Sequence, residues 1–175
     1  VILLTGRLAQ ANDRQDLAAE AYERFLAGGG DDFETRLFLA ARAEEDGKGD
    51  EVVRHLEAAK ACFPAAVGPQ SPYLRLAKHH QGAGETAKAI AELEAYAKVA
   101  GEDYDVRRKL ADWYQAQGDL AALVRVSEEM IDITPFGANR GEPPDLRLHR
   151  DFAAALLTLG RQDEAIRELE VQALL

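Results

Sequence analysis

Apolar residues recur three and four positions apart along almost the whole chain, in runs of about fourteen residues separated by short polar or glycine-bearing turns. In 110–118 the run Leu110, Ala111 and Tyr114 lies on one helical face, with Asp112 and Gln115 on the other, and Gly118 closes it. That 3.6-residue period predicts amphipathic helices in succession, with no alternating stretch that would suggest a strand. Gly47, Gly84, Gly118 and Gly160 each stand where a first helix must stop and a second begin, in a left-handed conformation that costs glycine nothing. An acidic residue opens the next helix, as in Gly84-Glu85 and Gly118-Asp119, which suits the helix dipole.

These helix pairs repeat. Residues 76–101 and 110–135 superpose with an offset of 34, matching Leu76 to Leu110, Ala77 to Ala111 and Gly84 to Gly118. Further copies are 39–64 (Leu39, Ala40, Gly47, Ala59, Pro64), 152–174 (Ala153, Gly160, Ala165, Leu169) and a degenerate 5–26 (Gly6, Ala18, Tyr22, Phe25). Small residues (Ala40, Ala77, Ala111, Ala153) recur where paired helices would come close, and larger ones (Leu56, Leu93, Leu169) where gaps between them need filling.

The pattern resembles the tetratricopeptide repeat (TPR) family, whose 34-residue helix–turn–helix unit carries W-x2-L-G-x2-Y…A…F…A…P. Leu110, Ala111, Tyr114, Gly118 and Pro135 of the fourth copy fall on that family's large, small, aromatic, turn and terminating positions. The second copy keeps Ala59 and Pro64; the fifth keeps Phe152, Ala153, Gly160 and Ala165. The resemblance implies an all-α, right-handed superhelical solenoid of antiparallel helix pairs, one domain over 1–175 with repeats near 1–32, 33–66, 70–103, 104–137 and 146–175. Two steps exceed 34: an offset of 37 leaves extra loop at about 67–69, and one of 42 inserts residues 136–143. Pro144 then suits a first helical turn, where a missing N–H is harmless. The chain opens on Val1 in what reads as mid-helix, and Leu174 and Leu175 continue the helical pattern. The expectation is therefore a piece of a longer array; the alternative is a homodimer through exposed apolar ends.

The resemblance also implies a concave, peptide-holding face made by the first helices. Carried over, its inward positions are Leu3, Arg7 and Gln10; Glu34, Leu37, Ala41 and Glu44; Ser71, Leu74, Lys78 and Gln81; Asp105, Arg108, Asp112 and Gln115; and Arg147, Arg150, Ala154 and Leu157. Acid gathers in the second copy and cation toward the last two. The lysine–asparagine–arginine clamp of chaperone-binding members is missing in its usual form, because Asn12 and Asn139 fall on no groove position. The cluster Arg107-Arg108-Lys109 with Arg147 and Arg150 is the candidate for binding carboxylates, against local pairing of Arg108 with Asp112 and Lys109 with Asp105. Phe136 and Arg140 on the insertion are the second place to look.

Composition narrows the classes. A net charge of −10 and pI near 4.9 disfavour nucleic acid and anionic membranes as partners. No apolar run approaches the roughly eighteen residues that span a bilayer, so no direct membrane insertion is expected. One cysteine, Cys62, excludes an internal disulfide and leaves the compartment open, the cytoplasm being the default; a small buried hydrophobe is its expected role. His79 and His80 are adjacent and point apart on a helix, while His55 and His149 stand alone, so they read as solvated or partly packed. No metal, cofactor or catalytic set is expected. The acidic runs at 44–46 and 128–129 read as solvated faces, and 28–30 (Gly-Gly-Gly) as a turn between repeats. The function expected is a non-catalytic scaffold binding a peptide or protein segment. The alternatives are the repeat region of a larger bacterial enzyme, such as a peptidase or transferase, and a structural subunit of an envelope or secretion assembly.

Overall fold

A computed structural model gives the structure, which describes residues 1–134 and 146–174. The described residues form ten α-helices and no strand: α1 (Ile2–Ala11), α2 (Gln15–Ala27), α3 (Phe33–Glu45), α4 (Gly49–Cys62), α5 (Pro72–Gly82), α6 (Thr86–Val99), α7 (Tyr104–Gln117), α8 (Leu120–Ile133), α9 (Leu146–Thr158) and α10 (Gln162–Leu174). Pro135, the insertion at 136–143 with Phe136, Asn139 and Arg140, and Pro144 lie outside the described residues.

The turns follow from backbone chemistry. Gly47, Gly84, Gly118 and Gly160 all have φ between 69° and 78°. In each case the next N–H reaches back to a carbonyl five residues earlier: Lys48 to Ala43, Glu85 to His80, Asp119 to Tyr114 and Arg161 to Leu156, at 2.9–3.0 Å. This double-back satisfies carbonyls that the helix end would otherwise leave bare. The first pair closes in the same way, with Arg14 N–H on the Ala9 carbonyl at 2.9 Å, but Asp13 holds the left-handed position at φ 57°. Helix starts are fixed by carboxylates: Asp32, Asp103 and Asp119 accept from the backbone N–H three residues on, at 3.0–3.1 Å.

The chain divides into two compact units, Val1–Val99 and Ala100–Leu175. In the first, α1–α2, α3–α4 and α5–α6 are antiparallel pairs, with α2 packed on α3 and α4 on α5. Its core includes Ala40, Ala43, Val52, Leu56 and Leu76, and a second cluster of Ala18, Tyr22 and Leu39. Leu56 is fully buried, a gain of about 2 kcal/mol over exposure. In the second unit, α7–α8 and α9–α10 pair and α8 packs on α9 around Leu110, Val126, Met130, Leu148 and Leu156.

The small positions Ala40, Ala77, Ala111 and Ala153 are all buried, as helix approach requires. Gly6 occupies the equivalent place in α1, and its large partner is Tyr22, where the next copy has Leu56. The smaller backbone site offsets the bigger ring. Leu169 departs from expectation: it is 42% exposed, because among the described residues α10 is packed closely on α9 alone. Ile2, Leu4, Leu8 and Leu17 are exposed on the first pair in the same manner.

Candidate functional site

The first unit contains a trough of about 510 Å³. From α1 it takes Gln10; from α3, Phe33, Glu34, Leu37, Phe38 and Ala41; from α5, Arg75, with Ser71 at the cap of that helix. Its remaining wall is the segment that follows α4, through Phe63, Ala66, Val67 and Gln70. Glu34, Leu37 and Ala41 thus come together, and Gln10 joins them. Arg7, one helical turn before Gln10, turns to Asp32 at 3.4 Å, while Leu74 and Lys78 of α5 are outside the trough lining.

The wall formed by residues 63–71 is tied down. Tyr73 donates its hydroxyl to the Pro64 carbonyl at 2.8 Å, and Ser71 Oγ donates to the Ala66 carbonyl at 2.8 Å. Gly68 N–H donates to the Tyr96 hydroxyl at 3.1 Å while Gly68 itself takes φ 94°, a value that needs glycine. Ser71 thus stands in the trough wall but is 1% exposed, with its hydroxyl spent on holding the loop. Phe63 packs edge-on against Phe33 at 5.5 Å, yet remains 50% exposed, and Val67 is 56% exposed. Two large apolar side chains are thus held in solvent by a hydrogen-bonded loop.

Charges around the trough are mostly matched. Arg75, largely buried, donates Nε to Glu44 at 3.2 Å and Nη1 to the Leu37 carbonyl at 3.2 Å. Asp31 binds Arg36 at 2.7 Å, and that contact, outweighing partial desolvation, holds the Asp31 carboxyl below the usual carboxylate range. Glu34 lines the trough, is exposed, and makes no hydrogen bond or ion pair among the described residues. Cys62 corrects its expected role: it is exposed, and partial desolvation with the neighbouring Asp31 carboxylate raises its thiol pKa, which makes it a poor nucleophile.

In the second unit the basic candidates separate. Arg107 is buried, bonding Glu129 at 3.0 Å and the Asp103 carbonyl at 3.2 Å, so it joins α7 to α8 rather than facing a partner. Arg108 reaches the Tyr104 hydroxyl at 3.4 Å, and Lys109 Nζ lies 5.0 Å over the Trp113 ring. Asp112, expected to pair with Arg108, meets Arg147 of α9 at 2.8 Å. Arg147 and Arg150 both also touch Asp151 at 3.2 Å, and both stay exposed, as does Gln115.

Against the expectation of solvated or partly packed histidines, His55, His80 and His149 are buried. His80 faces Glu85 at 2.7 Å and His149 faces Glu168 at 3.0 Å. His55 lies between Arg36 and Arg54, and burial, then those two cations, lower its pKa. Arg36 and Glu168 each lie 19 residues from their histidine, on another helix, where the local pattern gives no sign of them, while Glu85 is only five residues beyond His80 across the turn. Among the described residues no cluster of His, Cys, Asp and Glu is arranged to hold a metal ion, and no helix is long and apolar enough to cross a membrane.

No family model matches the sequence, and no curated protein matches it. Solved structures of MamA do match. One is similar at 19% identity and TM-score 0.55, over 98% of this chain and 87% of that one. A second gives 18% identity and TM-score 0.58, over 99% and 89%, and a third 20% and 0.54, over 96% and 92%. The fold is an all-α, TPR-like helical repeat. At this level of identity the likeness speaks to architecture, and the side chains of the trough must speak for function.

Proposed function

We propose that the chain is a non-catalytic scaffold that binds a peptide or protein segment along the face made by the first helices of its pairs. The trough carries this reading: residues from α1, α3 and α5 converge on one concave, largely apolar space with a few polar groups at its edge. Its volume lies within the range of about 300–1,000 Å³ usual for binding clefts. The likeness to TPR-like MamA structures supports the same role, since stacked helix pairs offer extended binding surfaces. In the second unit, Arg108, Asp112, Gln115, Arg147 and Arg150 are the proposed counterpart surface, a mixed one in which Arg147 and Arg150 stay exposed beside Asp112 and Asp151.

Site-specific photo-crosslinking tests this. A benzoylphenylalanine placed at Ala41 or Lys78, on first helices, should trap discrete protein adducts in cells. One placed at Glu57 or Arg125, exposed on second helices, should not. Adducts from the second-helix positions alone would overturn the assignment.

A further inference from the structure

We infer that the trough of the first unit takes a segment bearing a large apolar side chain next to a lysine or arginine. The apolar group seats among Phe33, Leu37, Phe63 and Val67, and the cation sets against Glu34. This rests on the reading of the first-helix face as a binding surface and goes further in naming what that surface selects.

Exposure is the first argument. Phe63 and Val67 stand half in water. The segment that carries them is held at three points, by Tyr73 on Pro64, Ser71 on Ala66 and Tyr96 on Gly68. The loop is thus preorganised, so little ordering entropy opposes binding. An aromatic or long aliphatic side chain entering here meets the Phe33–Phe63 edge-to-face pair and the partly buried Leu37 and Ala41, and covering such apolar surface is what drives association.

Charge is the second argument. Arg75 is matched by Glu44, Asp32 by Arg7 and Asp31 by Arg36. Among the described residues Glu34 is left as the trough carboxylate with no cation partner, one helical turn from Leu37 on the same face of α3. A cation beside the apolar anchor closes that account, while an acidic neighbour meets repulsion from Glu34. The charge therefore sets which segments fit more than how tightly they bind.

Random 12-residue peptides displayed on phage and selected on the whole chain provide the test. The enriched peptides should share an aromatic or large aliphatic residue adjacent to Lys or Arg. Measured by fluorescence anisotropy as synthetic peptides, they should bind Glu34→Lys at least tenfold more weakly and Val67→Asp not measurably. Both positions are exposed, so neither change threatens folding. Peptides with Glu in place of the cation should prefer the Glu34→Lys protein. Enriched peptides indifferent to both variants but lost on Leu74→Asp would overturn this inference and leave the first-helix face standing. A selection with no enrichment would sink both.

Discussion

Gly6 and Tyr22 act as a matched pair, and exchanging one without the other should cost stability. A methyl group at Gly6 would stand 2.6 Å from Cδ1 of Tyr22, about 1 Å inside the usual carbon–carbon separation. The ring has little room to retreat. It is 2% exposed, donates its hydroxyl to Gln10 Oε1 at 2.7 Å and meets Phe38 edge-on at 5.0 Å. Overpacking of this kind costs roughly 1–3 kcal/mol, while alanine in a helix returns about 0.5–1 kcal/mol relative to glycine. Gly6→Ala should therefore lose about 1 kcal/mol in urea unfolding. Gly82→Ala, at the end of α5 with nothing within 4 Å of the added methyl, should gain up to about 0.5 kcal/mol. The decisive variant is Gly6→Ala with Tyr22→Leu, which rebuilds the Ala40–Leu56 combination of the second pair. The two changes should then be coupled favourably by about 1 kcal/mol or more in a double-mutant cycle. Strict additivity, or a Gly6→Ala protein as stable as the parent, would show that the ring does not rest on this backbone.

Three further outcomes follow from the same geometry. Gly118→Ala, at φ 72°, should cost about 1 kcal/mol, whereas Asp13→Gly at φ 57° should gain a few tenths, both read by thermal melting. Lys60 Nζ holds both oxygens of Glu92 at 2.9 Å with little exposure of either side chain, so Glu92→Gln should lose about 1.5 kcal/mol, less if Glu57 at 3.0 Å compensates. His55 has its pKa lowered from 6.5 by burial and by Arg54 and Arg36, so the unfolded chain binds its proton first. Its contribution is complete above about pH 6.5 and is lost as pH falls toward the depressed folded value. Denaturation midpoints measured from pH 7.5 to pH 5 should fall more steeply for the parent than for His55→Gln, and equal slopes would refute the assignment.

What the sequence makes legible is whatever depends on neighbours in the chain. A left-handed helix end demands glycine, so Gly47, Gly84, Gly118 and Gly160 mark their turns without knowledge of the fold, and the small positions at Ala40, Ala77, Ala111 and Ala153 follow from periodicity. What it conceals depends on partners across helices. Arg107 reads as a free cation until Glu129, 22 residues on, closes over it, and His149 as solvated until Glu168 does the same. Leu169 and Cys62 fail for the complementary reason: a period says which face is apolar, but burial needs an element to lie against it.

The extra residues at 67–69 show how the second kind of information bears on function. From spacing alone they are surplus between two repeats. In the fold their backbone is fastened to Tyr96 and flanked by the Ser71–Ala66 bond, and their side chain Val67 faces the trough that α3 and α5 line. A repeat can accept such an insertion because each helix pair leans only on its neighbours, so a few added residues need not disturb the stack. At the end of this connection Ser71 stays in the trough wall with its hydroxyl spent on the loop, and Val67 adds apolar surface beside it. If specificity in this chain resides in the trough, it was acquired by altering a connection while the helices kept their register. Replacing Val67-Gly68-Pro69 by a direct 34-residue repeat junction should then preserve helicity by circular dichroism and abolish selection of apolar–basic peptides. Retained selection would place the specificity on the helices instead.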